Sequence, residues 1–409
     1  MIELREWQKK AMNEIKNARN GAIVVAATGT GKTILGIKLL EENSIGRFLI
    51  VVPTIVLQKQ WKKELLKFGV ATEDEINLIG GGNTPAPSRR ISIAVVNSLR
   101  NINWDHPLAK FDYLILDEVH RYASEQNVKF LKRHENFGFK LGLTATLRRS
   151  DGMEVLLTSV IGPVVYSINK EKSIDEGYVC DYEVKLIPCQ ASAREQSEYN
   201  DVDTIVKDNL NIFNNNFNEA QKTLKSGPRN RSFPYAVKVM RGIQQRKSII
   251  TNIQSKVDKA IELCMRHKDN KIILFDELQS SADKIHKKLG ELGIDSVVYH
   301  SGLKNKKQKL EAVSKFTSGE VNILVSVRAL DEGMDVKDAD VGIVVNGNSQ
   351  ERQILQRLGR ILRKGEDKTA LLYMLYVPGT IDQKYIRKRM RYLKPIKWDE
   401  EEIESVSYY

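Results

Sequence analysis

The feature that most constrains this chain is a glycine-containing loop between an apolar run and a helix-like stretch. Ala22–Val25 is rich in β-branched residues, and Ile34–Leu40 has apolar residues at helical spacing. A strand, a glycine-rich loop and a helix in this order are typical of phosphate binding by backbone N–H groups at a helix N-terminus. The candidate ATP-binding residues of the loop are Thr28, Gly29, Thr30, Gly31, Lys32 and Thr33.

The residue types in this loop each suit nucleotide chemistry. Gly29 and Gly31 allow the backbone to curl around one anion, and Lys32 can reach the β- and γ-phosphates. The Thr33 hydroxyl can ligate Mg²⁺. Ala26 stands where the common phosphate-loop pattern begins with glycine. The alternative is a glycine-rich turn that binds nothing.

An acidic pair follows a second apolar run. Asp117 and Glu118 come directly after Tyr113–Leu116, which places them at the carboxyl end of a predicted strand. In a doubly wound sheet this end lies beside the phosphate loop. Asp117 can then hold Mg²⁺, and Glu118 can orient and deprotonate the attacking water. Taken alone, such acids are equally typical of helix caps.

A further set of polar residues follows the acidic pair and the next predicted strand. His120 could carry a hydrogen bond from the nucleotide site, and Thr144 and Thr146 could continue that coupling. The alternative is a threonine-rich strand end with caps. A lone His120 does not indicate a metal site, because the sequence has no other histidine at ligand spacing.

The remaining apolar runs predict an α/β fold with two doubly wound parallel-sheet lobes. These runs are mostly continuous rather than alternating, as expected for strands covered on both faces. We predict a first lobe over residues 1–167 and a second over residues 168–409, which has no phosphate loop of its own. The runs outside the loop region that predict strands are Phe48–Val52, Ile91–Val96, Phe139–Leu143, Lys271–Phe275, Ser296–Tyr299, Val321–Val325, Val341–Val345 and Ala370–Tyr373.

The composition indicates a polyanionic partner and a reducing compartment. The chain has a formal net charge of +12, which favours nucleic acid. Its three cysteines form no C-x-x-C pair and are typical of reduced thiols in the cytoplasm. No apolar run approaches the ~20 residues of a membrane span.

The stretch at about residues 190–250 differs from both lobes. Residues 221–250 contain eight basic residues and no acidic one, with Phe233 and Tyr235 among them. We interpret it as a mainly helical basic insertion that contacts nucleic acid. The alternative is a flexible insertion whose charges are solvated. The arginines predicted to contact DNA are Arg229, Arg231, Arg241 and Arg246.

Two further sets of residues can reach a nucleotide. Gln356, Arg360 and Arg363 lie at i, i+4 and i+7 of a predicted helix, and an arginine in such a row can stabilise transition-state charge on the γ-phosphate. Near the N-terminus, Arg5 and Gln8 lie one turn apart and could contact an adenine edge. The alternatives are a solvated basic helix and ordinary surface residues.

Five ordered motifs resemble those of superfamily 2 helicases. They are A-T-G-T-G-K-T at 27–33, D-E-V-H at 117–120, T-A-T at 144–146, L-D-E-G-M-D at 330–335 and Q-R-L-G-R-I-L-R at 356–363. Pro53-Thr54 with Gln60-Trp61 resembles motif Ia. The details D-E-V-H-R and L-T-A-T-L-R-R-S-D-G are similar to a group that contains the XPB repair translocase, the phage UvsW helicase and restriction-enzyme subunits.

The resemblance implies tandem RecA-like lobes, use of ATP and Mg²⁺, and a DNA helicase or translocase. We expect the chain to act as a monomer. Group membership further implies 3′–5′ movement on branched DNA, for example in branch migration, and a thumb-like role for the insertion. Gly333 and Asp335 would contact the nucleotide. The residues implied along a DNA backbone are Thr54, Ser98, Ser301, Gly302 and Ser326. Two alternatives stay open, namely an RNA helicase and a DNA-stimulated ATPase that does not separate strands.

Overall fold

The computed structural model describes residues 2–27, 29–82, 88–102, 104–105, 109–133, 137–147, 153–169, 172–173, 176, 182–303, 306–327, 339–347 and 370–390. They fall into two units, one within residues 2–176 and the other made of residues 182–303, 306–327, 339–347 and 370–390. Thr28, Gly333, Asp335, Gln356, Arg360 and Arg363, all predicted site residues, lie outside the described residues. No helix within the described part of the chain is both long and apolar enough to cross a membrane.

The first unit is built on a seven-stranded sheet in which every pairing is parallel. Its strand order is β3-β4-β2-β5-β6-β1-β7. Strands β2 and β4 are buried at every residue, because their apolar side chains pack on helices at both faces. The strands are β1 Gly21–Ala26, β2 Phe48–Val52, β3 Ile76–Ile79, β4 Ile91–Val95, β5 Tyr113–Asp117, β6 Phe139–Thr144 and β7 Val164–Ile168.

The first sheet separates two buried clusters, each of which lies between one face of the sheet and the helices that cover it. One cluster includes Trp7, Leu40 and Trp61, and the other includes Leu116, Val119 and Leu157. The helices are α1 Glu6–Asn17, α2 Thr33–Glu42, α3 Ile55–Lys67, α4 Glu125–Arg133 and α5 Glu154–Val160.

The second unit contains a six-stranded parallel sheet with the order β10-β11-β9-β12-β13-β8. Its strands are β8 Tyr182–Pro188, β9 Ile272–Asp276, β10 Ser296–Tyr299, β11 Ile323–Val327, β12 Val341–Val344 and β13 Ala370–Tyr376. The described helices that flank it are α9 Gln254–Arg266, α10 Gln279–Glu291, α11 Lys306–Ser318 and α12 Ile381–Met390.

Between β8 and α9 the chain forms the insertion, which consists of α6 Ala193–Asn211, α7 Phe217–Ser226 and α8 Phe233–Asn252. Helices α6 and α8 pack closely at Gly242, where a Cβ atom would lie 2.5 Å from Val206 Cγ2. The insertion is therefore helical, as predicted, and has a small apolar core of its own around Phe213, Ala236 and Val239.

Polar contacts attach the base of the insertion to the second sheet. Lys247 Nζ lies 2.5 Å from Glu277 Oε2, which follows β9. Asn346, which follows β12, donates from Nδ2 to Thr251 O at 3.2 Å and to Asp276 Oδ1 at 2.8 Å. The C-terminal part of α8 is thus joined to the end of β12 by a hydrogen bond and to the end of β9 by an ion pair.

Candidate functional site

The loop after β1 adopts the conformation that its two glycines permit. Gly29 has φ of 86° and Gly31 has φ of 92°, in the left-handed region that side chains rarely adopt. Lys32 is buried, and its Nζ donates to the carbonyl oxygens of Ala26 at 2.8 Å and Ala27 at 3.1 Å. Burial lowers the pKa of Lys32, while Glu118 and Asp117 act to raise it. The ammonium group therefore lies against the loop backbone, and Thr33 begins α2.

The start of α1 contacts this loop directly. Arg5 donates from its guanidinium to Thr30 O at 3.2 Å, and Gln8 Nε2 donates to Gly31 O at 3.0 Å. Gln8 Oε1 also accepts from the backbone N–H of Arg5 at 2.9 Å, and its side chain is buried. The structure thus brings both predicted adenine contacts to the loop. Here both ends of the Gln8 amide bind protein backbone.

Asp117 is the last residue of β5 and is buried. Its Oδ2 accepts from the indole N–H of Trp61 at 2.8 Å, and its Oδ1 accepts from the backbone N–H of Glu118 at 3.0 Å. Burial, followed by the nearby Glu118 carboxylate, raises the pKa of Asp117 to about 6. A cation at this site would therefore relieve an electrostatic penalty, which is what a metal-binding carboxylate requires.

Glu118 stands in an unusual backbone conformation beside Asp117. Its φ is 52° and its ψ is 50°, whereas the other non-glycine described residues with positive φ are two asparagines, which tolerate this region better. Such a residue costs of order 1–3 kcal/mol and is often found at functional sites. Glu118 Oε2 is buried and accepts no hydrogen bond from the described residues. The same oxygen lies 3.3 Å from His120 Nδ1.

The predicted coupling residues are also brought together. His120 and Thr144 are fully buried, and His120 Nδ1 lies 2.8 Å from Thr144 Oγ1. The Thr144 hydroxyl donates to Thr146 O at 2.8 Å, and Thr146 N–H donates back to it at 3.2 Å. A hydroxyl has one hydrogen, so His120 Nδ1 carries the proton in its contact with Thr144. The end of β5 and the end of β6 are linked by this network.

Sequence reasoning did not predict that two buried aromatic side chains, Trp61 and Tyr122, lie beside the acidic pair, although Trp61 was part of a motif resemblance. One is the Trp61 indole, and the other is the Tyr122 phenol, whose pKa is raised well above 10 by burial and by the charges of Asp117 and Glu118. Both belong to ordinary apolar patterns along the chain. An aromatic residue with a polar tip near the acids would have been the available signal.

The predicted DNA contacts differ in exposure. Thr54 and Ser98 are half-buried. They follow β2 and β4, so they lie on the side of the sheet where the strands end, as the phosphate loop does. Ser301 and Gly302 are exposed after β10, and Gln279 Nε2 donates to Ser301 Oγ at 3.0 Å. Ser326 is buried within β11. Its hydroxyl is therefore not available to a ligand in this conformation.

The basic side chains of the insertion fall into two groups. Lys222, Arg246 and Lys247 form ion pairs with Glu219, Asp203 and Glu277. The Arg246 side chain is only 13% exposed, so it packs within the insertion rather than facing solvent. The others are exposed and form no ion pair with another described residue: Lys225, Arg229, Arg231, Lys238 and Arg241.

Comparison with known proteins supports the helicase resemblance that the sequence motifs indicate. The model of the type III restriction enzyme res subunit matches residues 1–149, and the helicase conserved C-terminal domain matches residues 255–365. The chain is 32% identical to the DNA 3′-5′ translocase XPB2 of Sulfurisphaera tokodaii over 95% of its own length and 84% of that protein. It is 26% identical to the putative DNA 3′-5′ helicase Rad25 of Haloarcula marismortui over 99% of its own length and 58% of that protein.

A solved structure confirms the predicted architecture. The Pyrococcus furiosus Hef helicase domain superposes with a TM-score of 0.64 at 16% identity, over 95% of this chain and 98% of that one. The prediction of two RecA-like parallel-sheet lobes is therefore confirmed. The narrower resemblance to a phage branch-migrating helicase is not supported by the XPB and Rad25 relatives. The phosphate loop, the acidic pair and the XPB2 match lead to one conclusion: this chain belongs to the XPB-type superfamily 2 helicases, which are ATP-dependent DNA helicases.

Proposed function

We propose that this chain uses ATP hydrolysis to move along DNA in the 3′–5′ direction and acts on branched DNA. The motor assignment rests on one observation: the residues proposed to act on ATP lie at the carboxyl ends of strands of the first sheet. There the phosphate loop after β1, the acidic pair at the end of β5, and Thr144 and Thr146 at the end of β6 lie together. The printed activity of the XPB2 relative supports DNA and the direction. The branched-DNA preference rests on the basic insertion and on the group resemblance.

The side chains at this edge suit hydrolysis of a nucleoside triphosphate. Lys32 would exchange its two backbone carbonyl acceptors for phosphate oxygens, which carry more negative charge. Glu118 has a buried carboxylate oxygen that accepts no hydrogen bond from the described residues, and it would take a proton from the attacking water. These two roles place a cation and a base beside the same phosphate.

Mg²⁺ fits the donor set at this site. The Asp117 carboxylate and the Thr33 hydroxyl are hard oxygen ligands, and the raised pKa of Asp117 reflects a buried negative charge without a sufficient countercharge. Bound there, Mg²⁺ would neutralise charge on the phosphates. Asp117 would hold the ion, and Thr33 would complete the protein's share of its ligands.

The exposed cations of the insertion would supply a DNA-binding surface. Arg229, Arg231 and Arg241 are exposed in a stretch that contains no acid, so phosphate is their natural partner. Arg246 and Ser326 are left out of this surface, because one is ion-paired and the other is buried. The roles of Gly333 and Asp335, which the resemblance implies, stay predictions. So do the roles of Gln356, Arg360 and Arg363, the monomeric state and the cytoplasmic location.

The motor assignment is tested by phosphate release and strand separation on a panel of DNA and RNA structures. We expect DNA to stimulate hydrolysis more than RNA, and forks or four-way junctions to be unwound in preference to simple flaps. Equal activity on all DNA forms would remove the branched-DNA preference. Stimulation by RNA alone would favour an RNA helicase, and triplex displacement without duplex unwinding would favour a translocase that does not separate strands.

The insertion is tested by replacing Arg229, Arg231 and Arg241 together with glutamine. Each phosphate contact contributes about 0.9 to the slope of log affinity against log salt on duplex DNA, so the slope should become shallower by roughly 2 to 3. Fluorescence anisotropy with a labelled junction measures this slope.

A matched control removes three exposed charges elsewhere in the second unit. Lys268 and Lys284 are exposed and form no ion pair with another described residue, and Lys287 is exposed with only a 3.8 Å contact to Glu291. All three lie outside the insertion, so their replacement by glutamine should leave the slope unchanged. Equal slopes for both triple variants would mean that the basic residues of the insertion are solvated charges that do not contact DNA.

A further inference from the structure

The indole of Trp61 holds the carboxylate of Asp117 from one side. Its Nε1–H donates to Asp117 Oδ2 at 2.8 Å, and both residues are buried. The backbone N–H of Glu118 donates to the other oxygen at 3.0 Å. Because hydrogen bonds prefer nearly linear donors, two donors on two oxygens restrict rotation of the carboxylate.

Space for this indole depends on a glycine in the helix that follows the phosphate loop. A Cβ atom on Gly36 of α2 would lie 2.6 Å from Trp61 Cη2, closer than real Cβ contacts occur. Any side chain at position 36 would therefore displace the ring. The helix that begins at Thr33 and the ring that reaches Asp117 are in direct contact.

The helix that carries Trp61 is itself firmly attached. One turn earlier, the buried amide of Gln58 donates to Ile79 O at 3.0 Å and to Ile93 O at 2.6 Å, at β3 and β4. The same helix begins after Thr54, whose hydroxyl accepts from the backbone N–H of Leu57 at 3.3 Å. Thus α3 runs from a candidate DNA contact to a candidate metal ligand.

We propose that Trp61 is a positioning residue that orients the Asp117 carboxylate toward the metal ion of the bound nucleotide and ties that orientation to the position of α3. This inference rests on the proposed role of Asp117 as a metal ligand. Trp61 does not contact the reacting atoms. Its effect reaches them through one hydrogen bond and through its packing on Gly36.

The test is Trp61→Phe, which keeps an aromatic ring and removes the N–H. Binding of Mn²⁺ in the presence of ADP is measured by electron paramagnetic resonance of the free ion. A hydrogen bond to a charged group is strong enough that the Mn²⁺ dissociation constant should rise about tenfold, or about 1.4 kcal/mol. The affinity for a fluorescent ADP without metal should stay within about twofold of the parent value.

The matched control is Trp104→Phe. Its indole N–H donates to the backbone carbonyl of Leu99 at 3.1 Å, not to Asp117. Removing it should leave Mn²⁺ affinity unchanged. A comparable loss in both variants would mean that any lost indole weakens the unit, and it would overturn the proposal.

Gly36→Ala gives a second, independent perturbation. The added methyl group must displace the Trp61 ring, so this variant should also weaken Mn²⁺ binding by about the same factor. In a Trp61→Phe background the smaller ring leaves room, and Gly36→Ala should then have little further effect. Additive losses would contradict a shared route through the indole.

The variant Asp117→Asn tests the metal role of Asp117 separately from the positioning role of Trp61. If that variant binds Mn²⁺ normally, the proposed metal role of Asp117 is wrong. If it loses Mn²⁺ while Trp61→Phe and Gly36→Ala retain it, Asp117 is the ligand and the positioning role of Trp61 is refuted.

Discussion

Replacement of Thr144 by valine tests the link between the ends of β5 and β6. Valine has nearly the same shape as threonine but no hydroxyl. The change removes the contact of Oγ1 with His120 Nδ1 at 2.8 Å and its two contacts with Thr146 at 2.8 and 3.2 Å. Thr144 and His120 have no exposed surface, so water cannot take over the His120 contact.

The expected loss of stability follows from these contacts. His120 Nδ1 would lose its 2.8 Å contact and keep only the longer 3.3 Å contact with Glu118 Oε2, and weakening a buried hydrogen bond in this way costs up to about 1–3 kcal/mol. Thr146 is only half-buried, so its backbone groups can turn partly to water and add about 1 kcal/mol. We therefore expect the free energy of unfolding to fall by about 2–4 kcal/mol, measured by urea denaturation.

The functional consequence should exceed what this loss explains. His120 lies two residues after Glu118, so the network connects the proposed general base with Thr144 at the end of β6 and with Thr146 beyond it. We expect Thr144→Val to retain a measurable part of DNA-stimulated hydrolysis and to unwind fewer base pairs per ATP. Both rates are measured on the same forked substrate below the melting transition of the variant.

Thr144→Ser is the matched control, because it keeps the hydroxyl and removes only a methyl group. It should retain the parental ratio of unwinding to hydrolysis. The reasoning is refuted if serine and valine lower this ratio equally, or if valine leaves both the ratio and the free energy of unfolding unchanged.

Two further predictions concern charged groups at the same site. Lys32→Ala should abolish ATP hydrolysis, because the ammonium group is proposed to bind the phosphates. The circular dichroism spectrum should stay unchanged, because among the described residues Nζ donates only to the carbonyl oxygens of Ala26 and Ala27. Hydrolysis close to the parent rate would contradict the assignment. In metal-free buffer, the raised pKa of Asp117, about 6 in the folded state against an ordinary 3.8, means that the folded state binds more protons between these values. The free energy of unfolding should therefore fall by a few kcal/mol as the pH rises from about 4 to above 6. Urea denaturation at a series of pH values measures this fall. If Asp117→Asn shows the same fall, the Asp117 carboxyl is not its cause.

Much of the first sheet could be read from the chain because local pattern and burial agree there. Continuous apolar runs such as Phe48–Val52 form strands because both faces of a parallel sheet are covered, so every residue in them is buried. The strands β3, β7 and β8 were not predicted. They are edge strands, where alternating or partly exposed residues such as those of Val164–Ile168 weaken the apolar signal.

The sequence by itself determined which residues meet at the candidate nucleotide site, because the glycines, the lysine and the acids occupy short segments whose local order sets their position in a doubly wound sheet. Which charges face solvent was decided only by the tertiary structure. Arg241 and Arg246 are indistinguishable along the chain, yet Asp203 of another helix pairs with one of them. Trp61 and Asp117, 56 residues apart, are joined by a hydrogen bond for the same reason: distant segments meet only when their apolar faces pack together.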